Sequence, residues 1–404
     1  MSDSTTYAVQ PVLAAPVPGL EAMPVRAELG LLPVPAPRRG LLGRFWGFGA
    51  SVSEWLFGAA ALVVGLAFLA VIPVLQLLTL GYLLEASGRV ARSGRVRDGF
   101  IGVRRAARLG SIALGCLLMW LPLSLLSSMA VSAQIIDPQG PIAKRWQGVL
   151  TTLTILYVLH VTAACFRGGK LRYFFWPFNL LWLARRLWHG GFYREARDGV
   201  CDFVIALRLP YYFLLGLRGF VGALIWLALP LALLGHGHQN PAVGILGALL
   251  LALVVLYVPF LQMRFARDNR FRALFEWRGV RADFQRAPVA FAFALLVTLA
   301  LALPLYLLKI EVVPREIAFL ETFVFLAFIF PARLLMGWAY GRATRRETPR
   351  HWFFRWTSRL LMVPTVAAYV LMVFFSQHIG WGGVSSLYDQ HAFLLPTPAL
   401  QQRP

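Results

Sequence analysis

The sequence predicts an all-α, polytopic transmembrane helix bundle of about eight spans, and three observations carry that prediction. Of the 404 residues 58% are apolar and only 14% are charged, against roughly a quarter charged in soluble domains; the mean hydropathy is +0.65. The apolar residues gather into runs of about 17–25, the length a helix needs to cross about 30 Å of hydrocarbon. Finally, the segments between these runs alternate between arginine-laden and nearly uncharged.

Residues 1–40 are rich in Pro and Ala, with Pro11, Pro16, Pro18, Pro24, Pro33, Pro35 and Pro37, and show neither helical nor strand period. They read as a disordered tail with polyproline-II character; no basic start precedes an apolar core near Met1, so a signal peptide is not expected. Residues 41–55 mix Arg44 and Glu54 with Phe45, Trp46 and Phe48, as a segment lying in the headgroup layer would. The transmembrane domain then occupies 56–379, with spans drawn at about 56–84, 111–134, 148–166, 213–234, 242–263, 288–308, 317–340 and 360–378. Residues 380–404 form a polar C-terminal tail.

The net charge of +21 is almost all arginine. The link after the first span carries Arg89, Arg92, Arg95, Arg97, Arg104, Arg105 and Arg108, and the next only Lys144 and Arg145. The third link holds Arg167, Lys170, Arg172, Arg185, Arg186, Arg194, Arg197 and Arg208, whereas Gly235 to Pro241 has no Lys or Arg. Rich links return at Arg264–Arg286 and Arg342–Arg359, separated by a poor one with Lys309 and Arg315. The positive-inside rule places the rich links in the cytoplasm and the chain in the cytoplasmic membrane. A single kinked first span leaves both termini outside. Pro73 offers an alternative: a re-entrant hairpin in place of the first span, seven full spans, and the N-terminus inside.

Prolines recur at matching depths. Leu121-Pro122-Leu123, Leu229-Pro230-Leu231 and Leu303-Pro304-Leu305 sit near outer ends, while Ile72-Pro73-Val74-Leu75-Gln76, Val258-Pro259-Phe260-Leu261-Gln262 and Phe330-Pro331-Ala332-Arg333 sit near inner ends. A repeated helical hairpin would produce this pattern; so would the frequency of proline in membrane helices. The stretch from Ile72-Pro73 to Gly81-Tyr82-Leu83-Leu84, followed by an arginine loop, resembles a family of uncharacterised bacterial multi-pass membrane proteins. The resemblance implies the membrane class and no chemistry.

Candidate functional residues are few. His160 is the candidate intramembrane polar site; a proton relay there would want a carboxylate at its depth, and the alternative is a neutral histidine bonded to a neighbouring helix. Arg333 is expected to snorkel to the cytoplasmic interface and Glu321 to reach the opposite one. His236 and His238 share a turn whose composition explains them without a metal, and no metal or other cofactor is expected. Cys116, Cys165 and Cys201 form no Cys-x-x-Cys pair and read as small buried apolar residues. Asp98-Gly99 and Asp198-Gly199 read as turns.

The segment 170–197 interleaves arginines with aromatic rings and is expected to lie along the cytoplasmic interface. Lys170, Arg172, Trp182, Arg185, Arg186 and Trp188, with Arg355 in the shorter His351–Trp356 run, are the expected contacts to anionic headgroups. Membrane lipids are therefore the expected partners and nucleic acid is not, because these rings are needed by the bilayer; the sequence names no protein partner. No Gly-x-Ser-x-Gly, phosphate-binding Gly-Lys-Ser/Thr or His-Glu-x-x-His motif occurs, so the expected role is structural, scaffolding or lipid-interacting rather than enzymatic. A transporter or channel for a small solute is the rival.

Overall fold

The structure is a computed structural model that describes residues 41–307, 318–379 and 383–388. The tail at 1–40 lies outside the described residues, as does most of 380–404. All packing below is within Ser51–Pro404, which forms one compact unit. The described residues hold helices α1 Leu41–Val71, α2 Gln76–Ser93, α3 Val103–Ile136, α4 Pro141–Phe166, α5 Leu171–Phe174, α6 Asn179–Trp188 and α7 Phe192–Ala206. These are followed by α8 Leu209–Gly235, α9 Pro241–Asp268, α10 Trp277–Arg286, α11 Pro288–Leu307, α12 Ala318–Thr344 and α13 Trp352–Ile379. Eight are long and apolar enough to cross a membrane: α1 from Ser51, α3, α4, α8 within a stretch starting at Tyr193, α9, α11, α12 and α13. The chain is an all-α multi-pass membrane protein.

Helix ends follow local chemistry. Asn240 caps α9 by accepting from the Ala242 N–H at 3.1 Å, and Pro241 stands at the first helical position, where it lacks no needed donor. The same helix stops at Asn269 and α2 stops at Gly94, both in the left-handed conformation. Prolines at 122, 230, 259, 304, 331 and 364 remain inside their helices. Pro73 does not.

The run drawn as one span at 56–84 is two helices. Pro73 removes a backbone donor and obstructs the carbonyl four residues earlier, and Val74 follows at φ 72°. The chain then reverses: the Thr79 hydroxyl donates to Leu66 O at 3.1 Å, and Trp55 meets Phe100 with ring centroids 4.8 Å apart. Pairs so placed about residue 73 require antiparallel helices. Ser51 therefore lies at the same end of the bundle as the arginine-rich 94–102 link, and the chain turns at Pro73, as the hairpin alternative has it, rather than crossing as a single kinked span. Residues 41–55 belong to a helix that runs from Leu41 to Val71.

Every residue of α2 from Leu78 to Gly88 is buried. The helix packs against α8, α12 and α9, and glycines set the closeness of that packing. A Cβ added at Gly81 would overlap the Tyr212 carbonyl, one at Gly216 the Leu77 carbonyl, and one at Gly337 the Ser87 carbonyl. Gly341, one turn beyond Gly337, faces Ala91 O in the same way. Such small-residue contacts let membrane helices approach backbone to backbone, where dispersion replaces the missing hydrophobic drive. By contrast α3 and α4 pack mainly on each other, and their outward faces are exposed along their length. At the arginine-poor end the turn Gly383–Tyr388, drawn as part of a polar tail, buries Leu387 in the core and packs on α13 and α8.

Gly81→Ala is expected to lower stability by at least about 2 kcal/mol through backbone overlap, read as a lower unfolding temperature in detergent; Gly65→Ala, which meets nothing within 4 Å, should leave it unchanged. In a chain lacking Cys116, Cys165 and Cys201, single cysteines at Ser51 and Arg278 should label from one side of the membrane and one at Gln239 from the other. Labelling of Ser51→Cys together with Gln239→Cys would refute the α1–α2 hairpin.

Candidate functional site at the arginine-rich end

Two groups of polar side chains inside the bundle stand out among the described residues. Arg333, 15 residues into α12, is only 3% exposed and donates from Nη1 to Gln262 Oε1 of α9. Gln262 is fully buried, and Thr298 of α11 and Arg333 share a small cavity of about 10 Å³. Arg333 therefore does not snorkel to an interface; it is enclosed by protein, because α9 and α11 cover the side of α12 from which it projects. Glu321 is likewise buried, at 9% exposure, rather than reaching outward.

The second group lies on α2. Glu85 accepts from Arg89 Nε at 3.0 Å, Arg92 Nη2 at 2.9 Å and the Tyr211 hydroxyl at 2.8 Å. Arg92 also donates to Ala266 O and Arg267 O, carbonyls in the last turn of α9 that have no intrahelical donor to receive. One arginine thus neutralises a buried carboxylate and caps a neighbouring helix. Arg264 does similar work between α9, α10 and α12, reaching Glu276 at 2.8 Å, Asp283 at 3.3 Å and the Tyr340 hydroxyl at 3.5 Å. Burial pushes the Asp283 carboxyl up, against the hydrogen bond from Tyr340 and the charges of Arg264 and Arg286.

His160 belongs to a structural network. Its Nε2 is 2.7 Å from Phe174 O; a carbonyl only accepts, so Nε2 carries the proton. Asn179 Nδ2, also a donor, then cannot bond that nitrogen and donates instead to Tyr173 O, while Asn179 Oδ1 accepts from Arg167 at 2.9 Å. The effect is to pin α5 and the start of α6 onto α4. Phe174, 1% exposed, seats its ring against α3 at Gly115, where any Cβ would run into it.

On that anchored platform the residues expected to meet headgroups are spread over short helices. Lys170 is exposed before α5; Arg172 bonds the Tyr173 hydroxyl at 3.0 Å; Trp182 is half-buried beneath Arg167, whose guanidinium stands 5.6 Å from its ring. Arg185 is exposed, Arg186 is paired with Glu195, and Trp188 is 92% exposed. Trp182 and Arg186 come together with Arg108 of α3 around a groove of about 690 Å³, whose apolar walls include Ile112, Phe166 and Val200. Arg355 stands apart on α13, which packs on α11 and α9, and its Nε is buried without a hydrogen-bond partner among the described residues.

Other expectations resolve locally. His236 and His238 each turn Nδ1 to a carbonyl at the end of α8, at 2.8 and 2.7 Å, and the described residues hold no group of three or more metal-ligating side chains. Cys201 is exposed on α7 rather than buried, and Asp198-Gly199 lies inside that helix rather than in a turn. The groove at Arg108 and the Glu85 cluster were missed because each joins residues from different links. A signal existed for Gln262 and Arg333: both follow the inner-end prolines, at Pro259 and Pro331, by three and two residues.

Comparison of the chain with protein-family models, curated proteins and solved structures finds no match.

Gln262→Leu should destabilise the protein by roughly 2–3 kcal/mol, because it strips an acceptor from an enclosed guanidinium. The double change Gln262→Leu with Arg333→Leu should cost less than the sum of the two single changes. Additive costs in thermal unfolding would show that the two side chains are not coupled.

Proposed function

We propose that this protein is a component of the cytoplasmic membrane whose arginine-rich end faces the cytoplasm and engages anionic lipid headgroups, in a structural or scaffolding role rather than an enzymatic one. The observation that carries the reading is the groove beneath α6 and α7. It sets Arg108 and Arg186 beside Trp182 at one end of the bundle and backs them with Ile112, Phe166 and Val200, the combination of guanidinium, indole and aliphatic wall that suits the headgroup layer. Phe174, Asn179 and His160 tie α5 and the start of α6, which carries Trp182 and Arg186, to the helices beneath.

The orientation follows from charge. With α1 and α2 folded as a hairpin, Ser51 stands at the arginine-rich end, and Arg38, Arg39 and Arg44 all precede it in sequence, so the positive-inside rule no longer conflicts with the N-terminal arginines. The rival reading, a conduit for a small solute, would have to use the buried polar group at Gln262, Thr298 and Arg333. The space there is about 10 Å³, room for about one water molecule, and the surrounding core is filled by Leu, Ala, Val and Phe side chains. That packing supports a structural role.

Arg185→Ala with Arg186→Ala should weaken binding to vesicles containing acidic phospholipid roughly tenfold, since each exposed arginine contributes on the order of 1 kcal/mol and Arg186 is already partly neutralised by Glu195. Binding to purely zwitterionic vesicles should not change. Equal retention of acidic lipid by the variant and the parent would overturn the reading.

A further inference from the structure

A second groove, of about 360 Å³, lies between α9, α10, α11 and α13 on the same end of the bundle. That volume is within the range of about 300–1,000 Å³ of ligand sites. Its mouth carries Arg281 of α10 and Arg359 of α13; its walls are Leu256 and Phe260 of α9 with Met362 and Val363 of α13. The two arginines differ from their neighbours. Arg264 and Arg286 are satisfied by Glu276 and Asp283, whereas neither Arg281 nor Arg359 forms an ion pair with a carboxylate among the described residues. Arg359 is steadied instead by aromatic faces, 5.7 Å from the rings of Phe284 and Trp356. Arg355 follows the same face one turn nearer the helix start.

We infer that this groove is a binding site for one acidic phospholipid, its phosphate held between Arg281 and Arg359 and one acyl chain lying along Leu256, Phe260, Met362 and Val363. Two unneutralised guanidinium groups attract an anion, and their planar forks match phosphate oxygens. An inorganic anion would leave the apolar walls unused. A chain attached to the phosphate covers them, and Val363, 61% exposed, opens the groove sideways to the bilayer. Depth agrees: Arg359 lies seven residues into α13, about 10 Å from its start, and Met362 and Val363 continue inward. This inference rests on the reading that the arginine-rich end meets anionic lipid, and it adds a site of defined stoichiometry at a different place from the groove of Arg108 and Arg186.

The test is native mass spectrometry of the full chain in detergent, titrated separately with a phosphatidylglycerol, a phosphatidylcholine and inorganic phosphate. The parent should retain one phosphatidylglycerol that phosphatidylcholine and phosphate do not displace. Arg281→Gln with Arg359→Gln should weaken that single binding event at least about tenfold. Val363→Trp, which fills the groove and keeps both charges, should weaken it too, and unchanged unfolding temperatures would show that both variants fold. Arg185→Ala with Arg186→Ala should leave it in place while lowering vesicle binding, so failure here and failure of the broader reading are distinguishable. Retention of the lipid by the glutamine variant, retention by Val363→Trp, or equal competition by inorganic phosphate would each overturn the proposal.

Discussion

The bundle is organised by the closeness with which α2 packs. A helix enclosed on every side can bring its backbone near three others only where no side chain intervenes, and Gly81, Gly88, Gly216, Gly337 and Gly341 supply those places. The close approach places the carbonyls of Leu77, Ser87 and Ala91 against neighbouring helices, and in a dry interior many small dispersion contacts must then hold the structure. Because α2 is the return limb of a hairpin, its position also fixes α1, the 94–102 link and the start of α3. Displacing it would disturb α8, α9 and α12 together.

Charge is distributed in keeping with that core. Where arginines are near buried backbone or carboxylate they are consumed by structure: Arg92 by Glu85 and the end of α9, Arg105 by the last carbonyl of α7 at 2.9 Å, Arg264 by Glu276 and Asp283. Others, Arg108, Arg185, Arg281 and Arg359 among them, form no ion pair within the described chain. Those are the groups with electrostatic attraction to offer an outside partner. Two of them stand at one groove and one at another, each backed by apolar walls. A basic rim over an apolar recess is chemically matched to an anionic amphiphile.

The platform formed by α5 and the start of α6 shows how a polar residue in a span can position a neighbouring segment. His160 spends its Nε2 proton on Phe174 O, and Asn179 joins Arg167 to Tyr173 O. These bonds tie α5 and the start of α6 to the membrane helix α4. Arg333 is the counterpart deeper in the bundle, joined to Gln262 and walled in by α9 and α11.

Hydropathy, run length and the alternation of arginine density were enough to determine the membrane class and to place seven of the spans within several residues, because lipid imposes helix length and backbone satisfaction on any chain that crosses it. The aromatic and arginine content of 170–197 set it apart from the spans, and the structure breaks it into the short helices α5 and α6 and the start of α7. Only the tertiary structure decided that Pro73 reverses the chain whereas Pro259 and Pro331 do not, since a proline's local effect is the same and neighbouring helices determine whether the freed carbonyl is recovered or the helix ends. It alone also decided that Arg333 is enclosed, that Glu85 joins Tyr211, and that Arg281 meets Arg359 across a groove. Each of these depends on contacts between residues tens of positions or more apart, and one-dimensional pattern carries no record of which helices become neighbours.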